Sequence, residues 1–98
     1  MTGLDRIALH AQRTGWTLDS ESHGYNIVRT YRRDNYRVRV VFTIAFGVAR
    51  AFLNDDGTDR SRVISGGAGK ADRVIDFMNT PAQWFAIHHG THRGRGLL

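Results

Sequence analysis

The 98-residue chain contains no cysteine, one proline, and one lysine against thirteen arginines. Without cysteine it cannot form disulfides, thiolate metal sites or a cysteine nucleophile. No apolar run approaches the roughly 20 residues that a membrane-spanning helix needs. Asp5 and Arg6 interrupt the apolar residues of the N-terminus, whereas a signal peptide has a continuous apolar region. These absences predict a cytoplasmic protein with no membrane partner.

Positive charge is the main bias of the composition. The formal net charge is +5 at pH 7, which favours acidic partners. The segment 25–53 carries six of the arginines and a single carboxylate, Asp34, together with most of the β-branched and aromatic residues. An excess of arginine over lysine is also typical of GC-rich genomes. Arginine nevertheless presents a planar fork that suits phosphate and carboxylate groups.

The N-terminal segment has the pattern of a capped helix over residues 3–14. Thr2 can cap it, with Asp5 three residues later to complete a capping box. Gly15 can end it in the left-handed conformation. The apolar stripe at helical spacing consists of Leu4, Ile7, Ala8 and Ala11.

The central segment predicts a mostly antiparallel sheet. Two alternating runs meet at Asp34-Asn35, which tolerate the positive φ of a tight turn. Trp16–Asp19 predicts a short strand, which a polar loop over 20–24 follows. A third long strand is predicted over Val48–Asn54, and a short last strand over Arg62–Ile64. In the third strand we expect Ala49, Ala51 and Leu53 on the buried side. The hairpin face that should meet the helices comprises Tyr25, Ile27, Tyr31, Val38, Val40, Phe42 and Ile44.

The opposite face of the sheet is the candidate binding surface. Its register places Arg32 opposite Arg37, and like charges in cross-strand positions are mildly destabilising, so we expect an anionic partner to relieve this pair. We expect Val28, Val41 and Phe52 to form one apolar row across three strands, and such a row rimmed by arginines suits stacked bases with phosphates at the rim. It also suits a protein interface, or a solvated face whose arginine stems cover apolar surface. The predicted partner-binding residues are Val28, Arg32, Arg37, Arg39, Val41, Arg50 and Phe52.

The C-terminal third predicts one or two helices. A glycine-rich linker over 65–69 leads into a helix over 70–79, and Thr80-Pro81 begins another that ends near Gly90. We expect the tail 91–98 to be flexible. The apolar residues of the two helices are Ala71, Val74, Ile75 and Met78, then Trp84, Phe85 and Ile87.

Motifs that would carry catalysis or ligand binding are incomplete. Gly66–Lys70 has neither the earlier glycine nor the final Ser or Thr of a phosphate-binding loop. The histidines at 88, 89 and 92 have no acidic residue near them in sequence, and the aspartates at 55, 56 and 59 are explained by turn chemistry. We therefore predict no catalytic residues, no metal site, no cofactor and no small-molecule substrate.

Two resemblances follow from these segments. The α–β–β–β order with Gly69–Asp72 at the last helix resembles the double-stranded-RNA-binding domain in outline, but that family's basic cluster is absent and its function is not carried over. Residues 2–85 have a pattern that is similar to that of small accessory proteins of actinobacterial phages. The segments that carry this similarity are Gly15-Trp16, the strand Tyr36–Phe42 and the helix signal at Pro81. That resemblance implies a role in a bacterial host, on host proteins or host growth, without catalytic residues.

The sequence thus predicts one α+β domain over residues 1–90. It should have two layers: a mostly antiparallel sheet of three to five strands, with an N-terminal helix and one or two C-terminal helices on one face. The leading functional prediction is a non-enzymatic accessory protein that binds a host macromolecule, or a second copy of itself, through the arginine-rimmed face. The alternative is a nucleic-acid-binding module that uses the same arginines on phosphates.

Overall fold

A computed structural model describes residues 1–88, 91 and 92. Its α+β architecture confirms the predicted fold class: one antiparallel sheet whose strands follow the chain order, with the helices packed on one face. Neighbouring strands along the chain are neighbours in the sheet, so every sheet connection between β1 and β5 is a hairpin. The elements within the described residues are α1 (Gly3–Thr14), β1 (Thr17–His23), β2 (Ile27–Arg33), β3 (Tyr36–Phe42), β4 (Val48–Asp55), β5 (Arg60–Ile64), α2 (Lys70–Asn79), α3 (Pro81–His88) and β6 (Thr91–His92).

Helix α1 begins and ends as its sequence predicts. The Thr2 hydroxyl accepts a hydrogen bond from the Asp5 amide at 3.1 Å, and the Asp5 carboxylate accepts one from the Thr2 amide. Gly15 ends the helix with φ 82°, a conformation that a Cβ would strain. The helix packs against α2 and buries Ile7 and Ala11 in the core.

The β2–β3 hairpin has the predicted register. Asp34 takes a positive φ of 54° in the turn, which aligns Tyr31 with Val38 and Arg32 with Arg37. One face of the sheet, which we call the inner face, carries Tyr31, Val38 and Phe42 under the helices. The other is called the outer face.

Strand β4 departs from the prediction at its first residues. A bulge after Val41 pairs Phe42 with Val48, whereas Val41 pairs with Arg50. The bulge turns Val48 to the buried side and leaves Ala49 only half-buried, so the prediction for Ala49 was wrong. Ala51 and Leu53 are fully buried as expected.

Strand β1 is longer than predicted. It continues through His23, so the expected polar loop over 20–24 is strand as far as residue 23. A register shift between Leu18 and Ser20 leaves Asp19 as an unpaired bulge. Every β1 residue is exposed, and charges with a bulge on an edge strand are features that disfavour pairing with another chain.

The core lies between the inner face and the three helices. Phe77 of α2 is at its centre, and the Trp16 indole donates to the Met78 carbonyl at 3.0 Å, which ties the start of β1 to the end of α2. The buried core comprises Ile7, Ala11, Trp16, Tyr31, Val38, Val40, Phe42, Val48, Ala51, Leu53, Ile64, Val74, Phe77, Met78, Trp84 and Phe85.

Three residues that were predicted to be buried are exposed. Tyr25 is 97% exposed and Ile44 is 88% exposed, because the hairpin ladder ends at the Ile27–Phe42 pair before it reaches them. Ile44 lies outside the sheet in a tight turn from Thr43 to Gly47, which the Thr43 amide closes by donating to the Gly47 carbonyl at 2.7 Å. Ile87 is 61% exposed, because α3 packs Trp84 and Phe85 inwards and Ile87 lies on its other side.

The predicted tail lies mostly outside the described residues. Thr91 and His92 pair with Ser61 and Arg60 and add a two-residue strand to the sheet edge. The predicted domain boundary at residue 90 and residues 93–98 fall outside the described part of the chain. A single core joins residues between Ile7 and Phe85.

Candidate functional site

The sheet register brings the seven predicted partner-binding residues onto the outer face. They occupy three cross-strand rows, and the middle row sets Thr30, Arg39 and Phe52 side by side. Phe52 therefore pairs with Arg39. The sequence interpretation had placed it in the row with Val28 and Val41, and that placement was wrong. The two other rows are Val28–Val41–Arg50 and Arg32–Arg37–Asn54.

A groove of about 490 Å³ runs across β1 to β4 on this face. Four of the predicted residues line it: Val28, Arg37, Arg39 and Phe52. We call it the outer groove. The sequence interpretation missed the remaining lining residues, which are Asp19, Ser20, Ser22, Thr30 and Asn54.

The outer groove is more polar than the predicted apolar row. Two of its nine lining residues, Val28 and Phe52, are apolar. Val41 is only 6% exposed and does not line the groove, so it adds little surface for a partner. Four of the nine carry a hydroxyl or amide group, namely Ser20, Ser22, Thr30 and Asn54. Such groups both donate and accept hydrogen bonds.

Asp56 neutralises the arginine pair that was expected to need an external anion. The Arg37 Nη2 lies 3.1 Å from one carboxylate oxygen of Asp56, and the Arg32 Nη1 lies 3.5 Å from the other. Asp19 approaches the Arg32 Nε at 4.0 Å. The expectation that a partner must relieve this repulsion was therefore wrong, because the β4–β5 turn delivers the carboxylate that does so.

Arg39 and Arg50 are the two free cations of the outer face. Both are exposed, and neither makes a hydrogen bond or an ion pair with any residue in the described part of the chain. Arg39 lies directly across from Phe52, and Arg50 lies two residues before Phe52 on the same strand. Phe52 thus has as neighbours two arginines whose charge no described residue compensates, one across the sheet and one along its own strand, while Val63 lies on its other side.

The acidic residues at 19–21 and 55–56 have internal partners. Glu21 accepts from the Arg29 Nε at 3.2 Å and lies 3.0 Å from the His23 Nε2. Burial alone would lower the pKa of Arg29, but hydrogen bonds and charge from Tyr31 and Glu21 hold that pKa above its ordinary value. Asp55 is buried within its own turn and bound by Arg60. These contacts give the carboxylates structural roles.

The histidines of the C-terminal helix do not form a metal site within the described residues, where no group of three metal-ligating side chains occurs. The His88 ring stacks on Trp84 with its centroid 4.0 Å from that of the indole. His89 and the side chain of His92 lie outside the described residues.

No helix among residues 1–88 has both the length and the apolar composition that crossing a bilayer requires. Comparison with protein-family models, with curated proteins and with solved structures gave no match to this chain.

Proposed function

We propose that the protein binds nucleic acid through its outer face, as a non-enzymatic accessory protein of the phage type acting in the bacterial cytoplasm. The observation that carries this proposal is the pair of exposed, uncompensated arginines, Arg39 and Arg50, beside a polar groove. A guanidinium fork matches the geometry of a phosphate, and contacts between arginine and phosphate supply much of the affinity of proteins for nucleic acid. The net charge of +5 favours the same class of partner over long range.

The polar lining favours this alternative over the protein interface that led the sequence-based prediction. Stable protein interfaces have a desolvated core in which large apolar and aromatic side chains supply most of the energy. On the outer face Val41 is covered, and Phe52 is the one aromatic residue in the groove. A protein partner is therefore an outcome of the test below, and not the proposal.

Removing the two free cations should weaken binding. We expect Arg39→Gln/Arg50→Gln to lower the affinity for a labelled 12-nucleotide single strand roughly 10- to 100-fold at 50 mM salt, because two charge-assisted contacts are lost. For two or three phosphate contacts, the wild-type affinity should fall about 7- to 20-fold between 50 and 200 mM salt. Fluorescence anisotropy measures both quantities.

A matched variant separates this effect from net charge. Arg13→Gln/Lys70→Gln removes the same charge from the helix layer, where Arg13 is exposed on α1 and Lys70 begins α2. It should reduce affinity by less than about threefold, since it touches no proposed phosphate contact. Equal losses in the two double variants, or no binding of any oligonucleotide at 50 mM salt, would contradict the proposal.

Asp56 should act as an internal competitor for phosphate. Asp56→Asn frees Arg37 and Arg32 from their shared carboxylate. We expect affinity for the single strand to rise about two- to fivefold, and the free energy of unfolding to fall by about 0.5–1 kcal/mol as the arginines repel each other. The control is Asp72→Asn, which removes a carboxylate that pairs with Arg6 on the helix layer. Unchanged or weaker binding by Asp56→Asn would show that these arginines do not face the nucleic acid.

A further inference from the structure

We infer that the outer groove receives single-stranded nucleic acid, with one base stacked on Phe52 and the flanking phosphates held by Arg39 and Arg50. This inference rests on the proposed function and goes beyond it, because phosphate binding alone does not distinguish a single strand from a duplex. Two features distinguish a single strand from a duplex: whether a base can stack on Phe52, and whether the base can enter the outer groove.

The geometry around Phe52 supports the stacked base. Phe52 is half-buried on the outer face, where its two cross-strand neighbours are Arg39 and the exposed Val63, so part of its side chain is open to a partner. Arg39 is its direct cross-strand neighbour, about 5 Å away between backbones, and Arg50 is two residues along the strand, about 7 Å away. An open aromatic side chain with two free arginines as neighbours provides a surface for one base and its adjacent phosphates.

The shape of the groove favours a single strand. Its lining comes from four neighbouring strands, which span roughly 14 Å at the usual spacing between strands. An unstacked base can lie in a groove of about 490 Å³ and reach its floor. A duplex keeps its bases stacked inside and would offer this face mainly its phosphates, so it could not use Phe52.

The wall of the groove provides groups for a base edge. Ser20 and Ser22 from β1, Thr30 from β2 and Asn54 from β4 can donate and accept hydrogen bonds. Asp19 lies in the same wall with a half-exposed carboxylate. Its negative charge disfavours a phosphate at the β1 end of the groove, which places the backbone of the strand towards Arg39 and Arg50 on β3 and β4.

The test compares ligands and ring variants by anisotropy at 50 mM salt. The ligands are a labelled 12-nucleotide single strand and the duplex of the same sequence. Phe52→Leu keeps an apolar side chain and should weaken single-strand binding roughly 5- to 50-fold, since stacking on an aromatic ring contributes about 1–3 kcal/mol per base. It should leave duplex binding within about twofold. Phe52→Trp should retain single-strand binding, because its ring also stacks.

A spectroscopic readout identifies stacking directly. The two native tryptophans, Trp16 and Trp84, are 5% and 7% exposed and should respond little to a ligand on the outer face. Phe52→Trp adds an indole in the groove, whose emission should be quenched by the single strand and not by polyglutamate of equal charge. If the single strand quenches the emission of Phe52→Trp no more than it quenches that of the wild-type protein, the inference is wrong.

The possible failures are distinguishable. If single strand and duplex bind equally and Phe52→Leu changes neither, while Arg39→Gln/Arg50→Gln weakens both, the proposed function stands and the inference is wrong. If polyglutamate displaces the oligonucleotide at equal charge, and Phe52→Leu has no effect, the groove binds anions generally and the inference is also wrong. If only polyglutamate binds, both are wrong and the partner is an acidic protein segment.

Discussion

Phe77→Ala should lower the free energy of unfolding by about 3–5 kcal/mol, the usual cost of removing a buried phenylalanine. Phe77 has no exposed surface, and its ring centroid lies within 6.4 Å of four other aromatic rings. Those rings come from the α1–β1 connection, from β3 and from α3, so the cavity would open where these parts of the chain meet α2. They are Trp16, Tyr36, Trp84 and Phe85.

Urea denaturation followed by tryptophan fluorescence measures this loss. A domain of this size has about 5–15 kcal/mol of stability in total, so Phe77→Ala is expected to be near the limit of folding. Phe77→Leu retains much of the volume and should cost roughly 1 kcal/mol. Ile87→Ala, at a position that is 61% exposed on α3, is the control and should change stability by less than about 0.5 kcal/mol. Similar losses for Phe77→Ala and the control would mean that the aromatic cluster does not hold the helices on the sheet.

The importance of Phe77 could not be deduced from helical spacing alone. The predicted stripe of α2 was Ala71, Val74, Ile75 and Met78, yet Ala71 and Ile75 are only partly buried while Phe77 is enclosed. Helical periodicity specifies a broad apolar side, and Phe77 lies three residues after Val74 on its margin. Contact of α2 with both β4 and α3 decides which part of that side is central.

The β2–β3 hairpin was predictable because two independent signals agree. Alternating apolar residues on both strands and a turn residue with positive φ permit one register, and a slip by one residue would expose every apolar side chain of a strand. Strand β1 has alternation only at its start, over Trp16–Asp19, and the polar residues that follow it predict a loop. Its polar side chains are exposed on both faces, and it is held by its ladder to β2 and by the Glu21–Arg29 pair, which only the folded chain brings together.

The candidate site shows the same division between local and tertiary information. The alternation in β2, β3 and β4 was sufficient to place Arg39, Arg50 and Phe52 on a common face. Their neighbours across the strands depend on the register of β3 with β4, which the 43–47 turn and the bulge at Ala49 determine. The ion pairs of Asp56 depend on the Asp56 amide donating to the Asn35 carbonyl at 2.8 Å, which joins two turns distant in sequence.

Asp55→Asn should lower the free energy of unfolding by about 2–4 kcal/mol at pH 7, because it removes one partner of a buried ion pair. Asp55 is 3% exposed. One of its oxygens accepts from the Gly57 amide at 3.1 Å, and the other accepts from the Thr58 hydroxyl at 2.6 Å and the Arg60 Nη2 at 2.9 Å. The Arg60 guanidinium lies 5.0 Å from the Phe85 ring, so the carboxylate also connects the β4–β5 turn to α3.

The pH dependence of this loss identifies its cause. Burial alone would raise the pKa of Asp55, but hydrogen bonds from Thr58 and Arg60 and the charge of Arg60 together hold that pKa below its ordinary value of 3.8. A carboxyl group whose native pKa is depressed stabilises the fold fully above its unfolded-state pKa, and this contribution is lost as the pH falls through the native pKa. The stability difference between wild type and Asp55→Asn should therefore be constant from pH 7 to about pH 5 and narrow below about pH 4.

Urea denaturation between pH 7 and pH 2.5 tests this, with Asp76→Asn as the control, because Asp76 is an exposed carboxylate on α2. That control should change stability by less than about 0.5 kcal/mol at every pH. A difference for Asp55→Asn that stays constant down to pH 2.5 would assign the loss to hydrogen-bond geometry and not to charge. A narrowing difference would instead mean that the Asp55–Arg60 pair sets the acid limit of the fold, at the turn that also delivers Asp56 to the arginines of the outer face.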